Sequence, residues 1–304
     1  MNDHALFDVA LETLNEGWAT QTIPSRVAAS DYDREFGERI CRLMFEKCGG
    51  EIEKYRRALH DFIDLSEEFV RLQMDLERTG HYLHSSFDEV REAVYDNPAT
   101  MDGRYLNGLF LSEAFWINHT KMHAYFVEQF CAPQKETGTI LEVPCGTGIF
   151  ISEFMRRNSH WIATAIDLSA SAVAFTECIV RLNGNARVAI RRQDIFEMPL
   201  DEHYDRVICG ELLEHLEEPE KLLQTLGRLI APDGKIFLTT AVWAASPDHI
   251  YLFKSAREAR EMLLKYFDIE SELVLNVREN QTPDQEQVPI NYACVLRPKA
   301  GSTA

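Results

Sequence analysis

Four acidic residues stand where short apolar runs end. Glu142 precedes the turn Val143-Pro144-Cys145-Gly146-Thr147-Gly148, Asp167 ends the run Trp161–Ile166, Asp194 follows Ala186–Arg191, and Glu211 follows Arg206–Cys209. If each run is a parallel strand, the four carboxylates gather at the carboxyl edge of one sheet, where open α/β folds bind ligands. Gly146 and Gly148 let the backbone pass close to such a ligand. The third glycine of a dinucleotide fingerprint is missing, Ile151 standing in its place. Phosphates would meet repulsion from the acids. The set suits a nucleoside that carries a sulfonium and an ammonium group. Asp167, about twenty residues past the glycines, is placed to accept from both ribose hydroxyls, with Leu168 beside it. Asp194 is placed to accept from an exocyclic amine, with Ile195 and Phe196 against the adenine faces. One acid after a strand is commonly an N-cap or a solvated turn residue; four at successive strand ends are not a coincidence.

The elements that would position them are legible in the same stretch. Thr139–Val143, Trp161–Ile166, Ala186–Arg191, Arg206–Cys209 and Lys235–Thr240 read as strands separated by helical stretches, the texture of a parallel sheet with crossover helices. Phe267–Val277 and Val288–Leu296 follow with only a polar loop, Arg278 to Gln287, between them, which predicts an antiparallel hairpin. From Asp31 to about Phe130, apolar residues recur at helical spacing, with breaks at Gly49-Gly50, Gly80 and Asn97-Pro98. The expected fold is α/β: a Rossmann-like, seven-stranded, mostly parallel sheet with an antiparallel last strand, preceded by an α-helical N-terminal region. Residues 1–136 form the cap and 137–304 the catalytic domain. Two segments should reach the ligand from outside the sheet. One is a helix from Gly103 to His119, bearing Tyr105 and Trp116; the other is the loop after the fifth strand, bearing Trp243 and His249. Aromatic rings favour a desolvated cation, so Tyr105, Trp116 and Trp243 are candidates to face it, although aromatics on long helices usually pack in the core. His249 is the candidate general base, with Tyr105 and His119 as further catalytic candidates.

These motifs resemble those of class I S-adenosylmethionine-dependent methyltransferases. Glu142 to Gly148 is similar to that family's glycine motif, Ala165-Ile166-Asp167 to its ribose motif and Gln193-Asp194-Ile195 to its adenine motif. Gly210-Glu211-Leu212-Leu213-Glu214-His215-Leu216 with Pro219 resembles its strand-four motif, and Leu229 to Lys235 its turn into strand five. Pro144 stands where the family more often has a small or acidic residue. The resemblance implies S-adenosyl-L-methionine as cofactor, held by Glu142, Pro144, Gly146, Gly148, Asp167, Leu168, Asp194, Ile195 and Glu211, with Trp116 and Trp243 nearby. It implies in-line displacement at the sulfonium carbon, for which the protein supplies alignment and water exclusion. His215 and Glu214, in a motif shared by many acceptor types, are read as structural. The expected activity is methyl transfer to a small molecule in natural product biosynthesis. The helical-plus-sheet layout is also similar to azetidine-2-carboxylate synthases, which cyclise S-adenosylmethionine itself and release methylthioadenosine.

Composition narrows the partners. The 304 residues carry a formal charge of −18, which disfavours nucleic acid. No stretch approaches the roughly 20 apolar residues that span a bilayer, and a cytoplasmic location is expected. Seven cysteines without a CxxC pair read as reduced thiols and not as a disulfide frame or zinc site; no metal is expected. The amphipathic arm Leu6 to Leu14 could pack on its own catalytic domain or on a partner's, and the second placement, a homodimer, is the expectation.

Overall fold

The computed structural model describes residues 2–29, 32–199, 201–278, 282 and 285–299. Its first part is helical: α1 (Asp3–Leu14), α2 (Ile23–Val27), α3 (Arg34–Lys47) and α4 (Ile52–Thr79). The Asp33 carboxylate caps α3 by accepting from the Phe36 N–H at 3.0 Å. Gly80, at φ 79°, ends α4. The apolar face of α1, including Leu6, Phe7, Ala10 and Leu14, is buried within its own chain; Phe7 stacks on Phe115 with ring centroids 5.8 Å apart. The arm from Leu6 to Leu14 therefore packs on its own chain, the first of the two placements open to it.

Two short helices, α5 (Phe87–Val90) and α6 (Pro98–Thr100), each run into a wider π-helical turn, over Arg91–Tyr95 and Met101–Tyr105. Then come α7 (Leu106–Phe115) and α8 (Ile117–Gln129). The helix expected to run unbroken from Gly103 to His119 is interrupted at Trp116, whose backbone is extended at φ −92°, ψ 113°.

The sheet segment alternates as expected: β1 (Thr139–Glu142), α9 (Ile149–Arg157), β2 (Ile162–Asp167), α10 (Ala170–Leu182), β3 (Val188–Arg192), β4 (Tyr204–Gly210), α11 (Pro219–Leu229), β5 (Ile230–Val242), α12 (Ala256–Tyr266), β6 (Phe267–Asn276) and β7 (Ile290–Pro298). The strand order is β3-β2-β1-β4-β5-β7-β6. The last strand enters antiparallel between β5 and β6, as the hairpin reading requires; part of the loop joining β6 to β7 lies outside the described residues. β1 pairs in parallel with both β2 and β4, so strand order reverses there and a crevice opens beyond their carboxyl ends.

Cap and sheet share their cores. Phe110 of α7 meets Phe175 of α10 at 5.6 Å, and one hydrophobic cluster joins α1, α3, α4 and α7 to Ile149, Phe175 and Ile179. Although α8 precedes the boundary expected after residue 136, it packs with the sheet: Phe126 meets Phe150 at 4.9 Å and Phe237 at 4.8 Å. No helix among the described residues is long and apolar enough to cross a membrane.

Candidate functional site

The crevice begins at the end of β1. Glu142 is buried, its Oε2 has no hydrogen-bond partner among the described residues, and burial pushes its carboxyl well above the ordinary range. The chain then turns through a cis Val143–Pro144 bond to Gly146 (φ 48°) and Gly148 (φ 72°). A Cβ on Gly146 would meet nothing within 4 Å, whereas one on Gly148 would lie 2.8 Å from Thr176 Cγ2. Gly146 is therefore the close-approach glycine and Gly148 the packing glycine.

Asp167 is oriented by the backbone: Oδ2 accepts from the Gly146 N–H at 3.0 Å and Oδ1 from the Ser169 N–H at 2.9 Å. Each oxygen keeps a lone pair. Burial raises this carboxyl, and the backbone N–H groups of Ser169, Gly146 and Leu168 oppose the shift. Asp194 Oδ1 accepts from the Phe196 N–H at 2.8 Å, which leaves Oδ2 for a ligand. Glu211 has φ 47°, a conformation rare for a residue with a side chain. Its N–H is shared between the carbonyl and hydroxyl of Thr239, at 3.0 and 3.1 Å, and its Oε1 is buried without a hydrogen-bond partner among the described residues.

Glu142, Gly146, Asp167, Asp194 and Glu211, together with Pro144, Leu168 and Ile195, line one cavity of about 1100 Å³, whereas Gly148, expected beside the cofactor, is not in its lining. Its far wall is aromatic and comes from the cap: Phe69, Tyr95, Tyr105, Phe115 and Trp116. Trp116 is reached because the chain breaks helix there, and its ring sits 5.4 Å from Phe69. His119 also lines the cavity, with Nδ1 3.0 Å from Ser112 Oγ and 3.6 Å from Glu113 Oε1. Trp243 departs from its expected place. It turns at φ 49°, is buried in the sheet's core cluster, and is not among the cavity-lining residues. It cannot face a ligand there.

A polar cluster closes the end of the cavity beyond β4 and β5. Asp248 accepts from Ser246 Oγ at 2.5 Å, from Tyr95 OH at 3.1 Å and from Tyr105 OH, and lies 3.3 Å from His215 Nδ1. Burial works against a charged His215, but Asp248 outweighs it and pushes the ring up to about 9. Burial, reinforced by the charge on His215, pushes His249 down to about 3. A ring so reluctant to take a proton is a poor general base, which counts against the role expected for it. The Tyr105 hydroxyl, raised by burial and then by Asp248, is a donor and not a base. Asp248 and Tyr95 escaped the sequence reading; the only hint was Pro247-Asp248 beside His249. Glu214 and His215, read as structural, line up here as well, Glu214 bonding Thr240 Oγ1 at 2.6 Å and the Ala241 N–H at 3.0 Å.

The profile of a family described as "Methyltransferase domain" matches residues 119–276, just over half of the chain. The chain belongs to that methyltransferase family. S-adenosylmethionine is its cofactor, and the residues present fit it: unpartnered carboxylate oxygens on Glu142 and Glu211 await a cation, and the backbone at Gly146 is open to the cavity. Among similar proteins, the ubiquinone biosynthesis O-methyltransferase of Xanthomonas oryzae pv. oryzae is 35% identical over 106 residues, which cover 33% of this chain and 42% of that protein. The protein of the same name from Neisseria meningitidis is 29% identical over 104 residues, 33% and 43% of the two chains. The match thus spans less than half the length of these curated relatives. Coclaurine N-methyltransferase, solved with N-methylheliamine and S-adenosylhomocysteine, superposes with a TM-score of 0.53 at 14% identity, over 86% of this chain and 94% of that one. The [4+2]-cyclase SpnF gives 0.50 at 17% identity, over 61% and 83%. At these identities both show the fold.

Proposed function

We propose that the chain transfers a methyl group from S-adenosylmethionine to a small molecule of natural product metabolism, held between the cap and the carboxyl edge of the sheet. The observation that carries this reading is the single cavity that runs from Glu142, Gly146, Asp167 and Asp194 to the aromatic wall of Tyr105 and Trp116. When bound, S-adenosylmethionine supplies a methyl group on a positively charged sulfur. Asp167 accepts from the ribose hydroxyls, Asp194 from the adenine amine, and Glu142 from the ammonium group. Ile195 packs on the base. The cap supplies an apolar wall that excludes water and fixes the acceptor in line, a source of rate that needs no protein base. The charge of −18 favours a small acceptor over nucleic acid, and seven unbridged thiols suit a reducing cytoplasm.

The test is to incubate the protein with S-adenosylmethionine labelled in its methyl group, alone and with panels of hydroxylated and amine-bearing small molecules. Labelled product with S-adenosylhomocysteine supports methyl transfer. Methylthioadenosine formed without any acceptor would replace it with cyclisation of the cofactor to azetidine-2-carboxylate.

A further inference from the structure

Three ligating side chains converge at the end of the cavity formed beyond β4 and β5. Glu214, His215 and His249 are buried, and one ligating atom from each lies within 4.8 Å of the other two. Glu214 and His215 are neighbours in the segment after β4 and His249 comes from the loop after β5; the Glu214 carbonyl holds the two in register, accepting from the N–H groups of Ile250 at 2.7 Å and Tyr251 at 2.8 Å. The rings cross at 85° with centroids 4.9 Å apart.

The hydrogen bonds leave a defined set of lone pairs. His249 Nδ1 is 2.7 Å from the Ala244 carbonyl and therefore carries the hydrogen. His215 Nδ1 lies against Asp248 Oδ2 and Tyr95 OH. Both rings thus have Nδ1 engaged, one on a backbone carbonyl and one on a carboxylate, which is how metal-bound histidines are oriented, and Nε2 is the nitrogen each can offer, an ion taking the place of the proton on His215. The Glu214 oxygens are each anchored by a single donor and keep lone pairs to share. Glu211, three residues before Glu214 and also lining the cavity, adds a buried Oε1 without a hydrogen-bond partner among the described residues.

We propose that Glu214, His215 and His249 form a site for one divalent transition metal, zinc by its donor set, with Glu211 beside it. Two histidines and one glutamate make a zinc site that keeps a position open. Bonds of about 2.0–2.2 Å would draw the three ligands inward by roughly an ångström. His215 and His249 both line the cavity, so the open position faces it and takes an oxygen donor. That donor is water, or, on the methyl-transfer reading, a hydroxyl of the acceptor, made more acidic by the ion. The metal site itself does not depend on that reading.

The experiment uses the full chain, stripped of metal by a chelator and titrated first with Co²⁺ and then with Zn²⁺, with S-adenosylhomocysteine affinity measured on the same samples. Expected are visible d–d bands of a low-coordinate cobalt that saturate at about one ion per chain and bleach as zinc displaces it. His249→Gln should weaken cobalt binding at least tenfold, and Asp248→Asn, which touches no ion, by roughly ten- to a hundredfold. Retained affinity for S-adenosylhomocysteine shows that each variant is folded. A wild-type chain that binds S-adenosylhomocysteine but gives no d–d bands overturns the metal site and leaves the cofactor reading standing. So does cobalt affinity unchanged in both variants.

Discussion

Both glycines of the turn after β1 lie at positive φ, where a side chain costs about 1–2 kcal/mol, yet their surroundings separate the two substitutions. Gly146→Ala puts a methyl into open cavity, so the protein should fold with only that cost while affinity for S-adenosylhomocysteine drops at least tenfold. Gly148→Ala adds a clash at 2.8 Å with Thr176 Cγ2 and at 3.1 Å with its Cα, so thermal stability should fall further. Melting curves and calorimetry on the pair check this, and equal effects on both properties would refute the division of roles. The acids Glu142, Asp167, Asp194 and Glu211 were legible in the sequence because a parallel strand delivers its end to one edge whatever its detailed packing. Trp243 was not, because a left-handed turn at its own backbone sends the indole into the core, and single-sequence patterning carries no trace of such a turn. Asp248 was missed for a related reason: its partners Tyr95 and Tyr105 lie about 150 positions away.

Two polar contacts add to the shared hydrophobic core in fixing the cap on the sheet. Glu153 of α9 is fully buried among Arg39 of α3 and Arg156 and Arg157 of its own helix. Burial alone would raise its carboxyl, but the Arg156 hydrogen bonds and the charge of Arg39 outweigh it and hold it down at about 2. A carboxyl lowered on folding stabilises the protein above its ordinary value of 4.5, and that contribution is lost as pH falls from there toward 2. At about 1.4 kcal/mol per unit it is on the order of 3 kcal/mol. Nearby His123, stacked on Phe36 at 3.7 Å and held neutral by burial down to about 3, acts in the same direction below 6.5, since the unfolded chain takes up the proton first. Urea unfolding from pH 7 to pH 4 should show falling stability. Glu153→Gln should be weaker at pH 7 with a flatter slope below 4.5; an unchanged slope would contradict the assignment. The second contact is Gln73 of α4, whose amide donates to the Trp243 carbonyl at 3.1 Å and accepts from the Ala245 N–H at 2.9 Å. Gln73→Ala removes these two bonds to the loop, of about 1 kcal/mol each, along with one to Glu77 on its own helix. Hydrogen exchange over residues 243–249 should accelerate roughly tenfold or more, as about 1.4 kcal/mol of lost protection requires, with cofactor affinity unchanged.

Across the whole molecule, the number of strands, their direction and the antiparallel last strand could be read in advance, because strand and helix periods differ and the β6–β7 loop is too short for a crossover. How the cap meets the sheet could not, because an amphipathic helix does not name the face it covers. Texture put the boundary after residue 136, yet Phe126 and Phe130 of α8 lie against Phe237 and Phe154. A chain beginning at residue 137 would uncover those rings, and it should lack a sharp melting transition; a cooperative, monomeric fragment would show that α8 is dispensable. The cavity between cap and sheet is meaningful only if its β1–β2 edge holds the cofactor. The most direct measurement is calorimetric titration of S-adenosylhomocysteine into the wild-type protein and Asp167→Ala, with melting curves showing both folded. Removing the carboxylate takes away charge-assisted hydrogen bonds to the ribose, each on the order of 1.5–3 kcal/mol. One site per wild-type chain is predicted, with affinity at least tenfold weaker in the variant, a loss of about 1.4 kcal/mol or more. No binding by the wild type, or equal affinity in the two proteins, would contradict it.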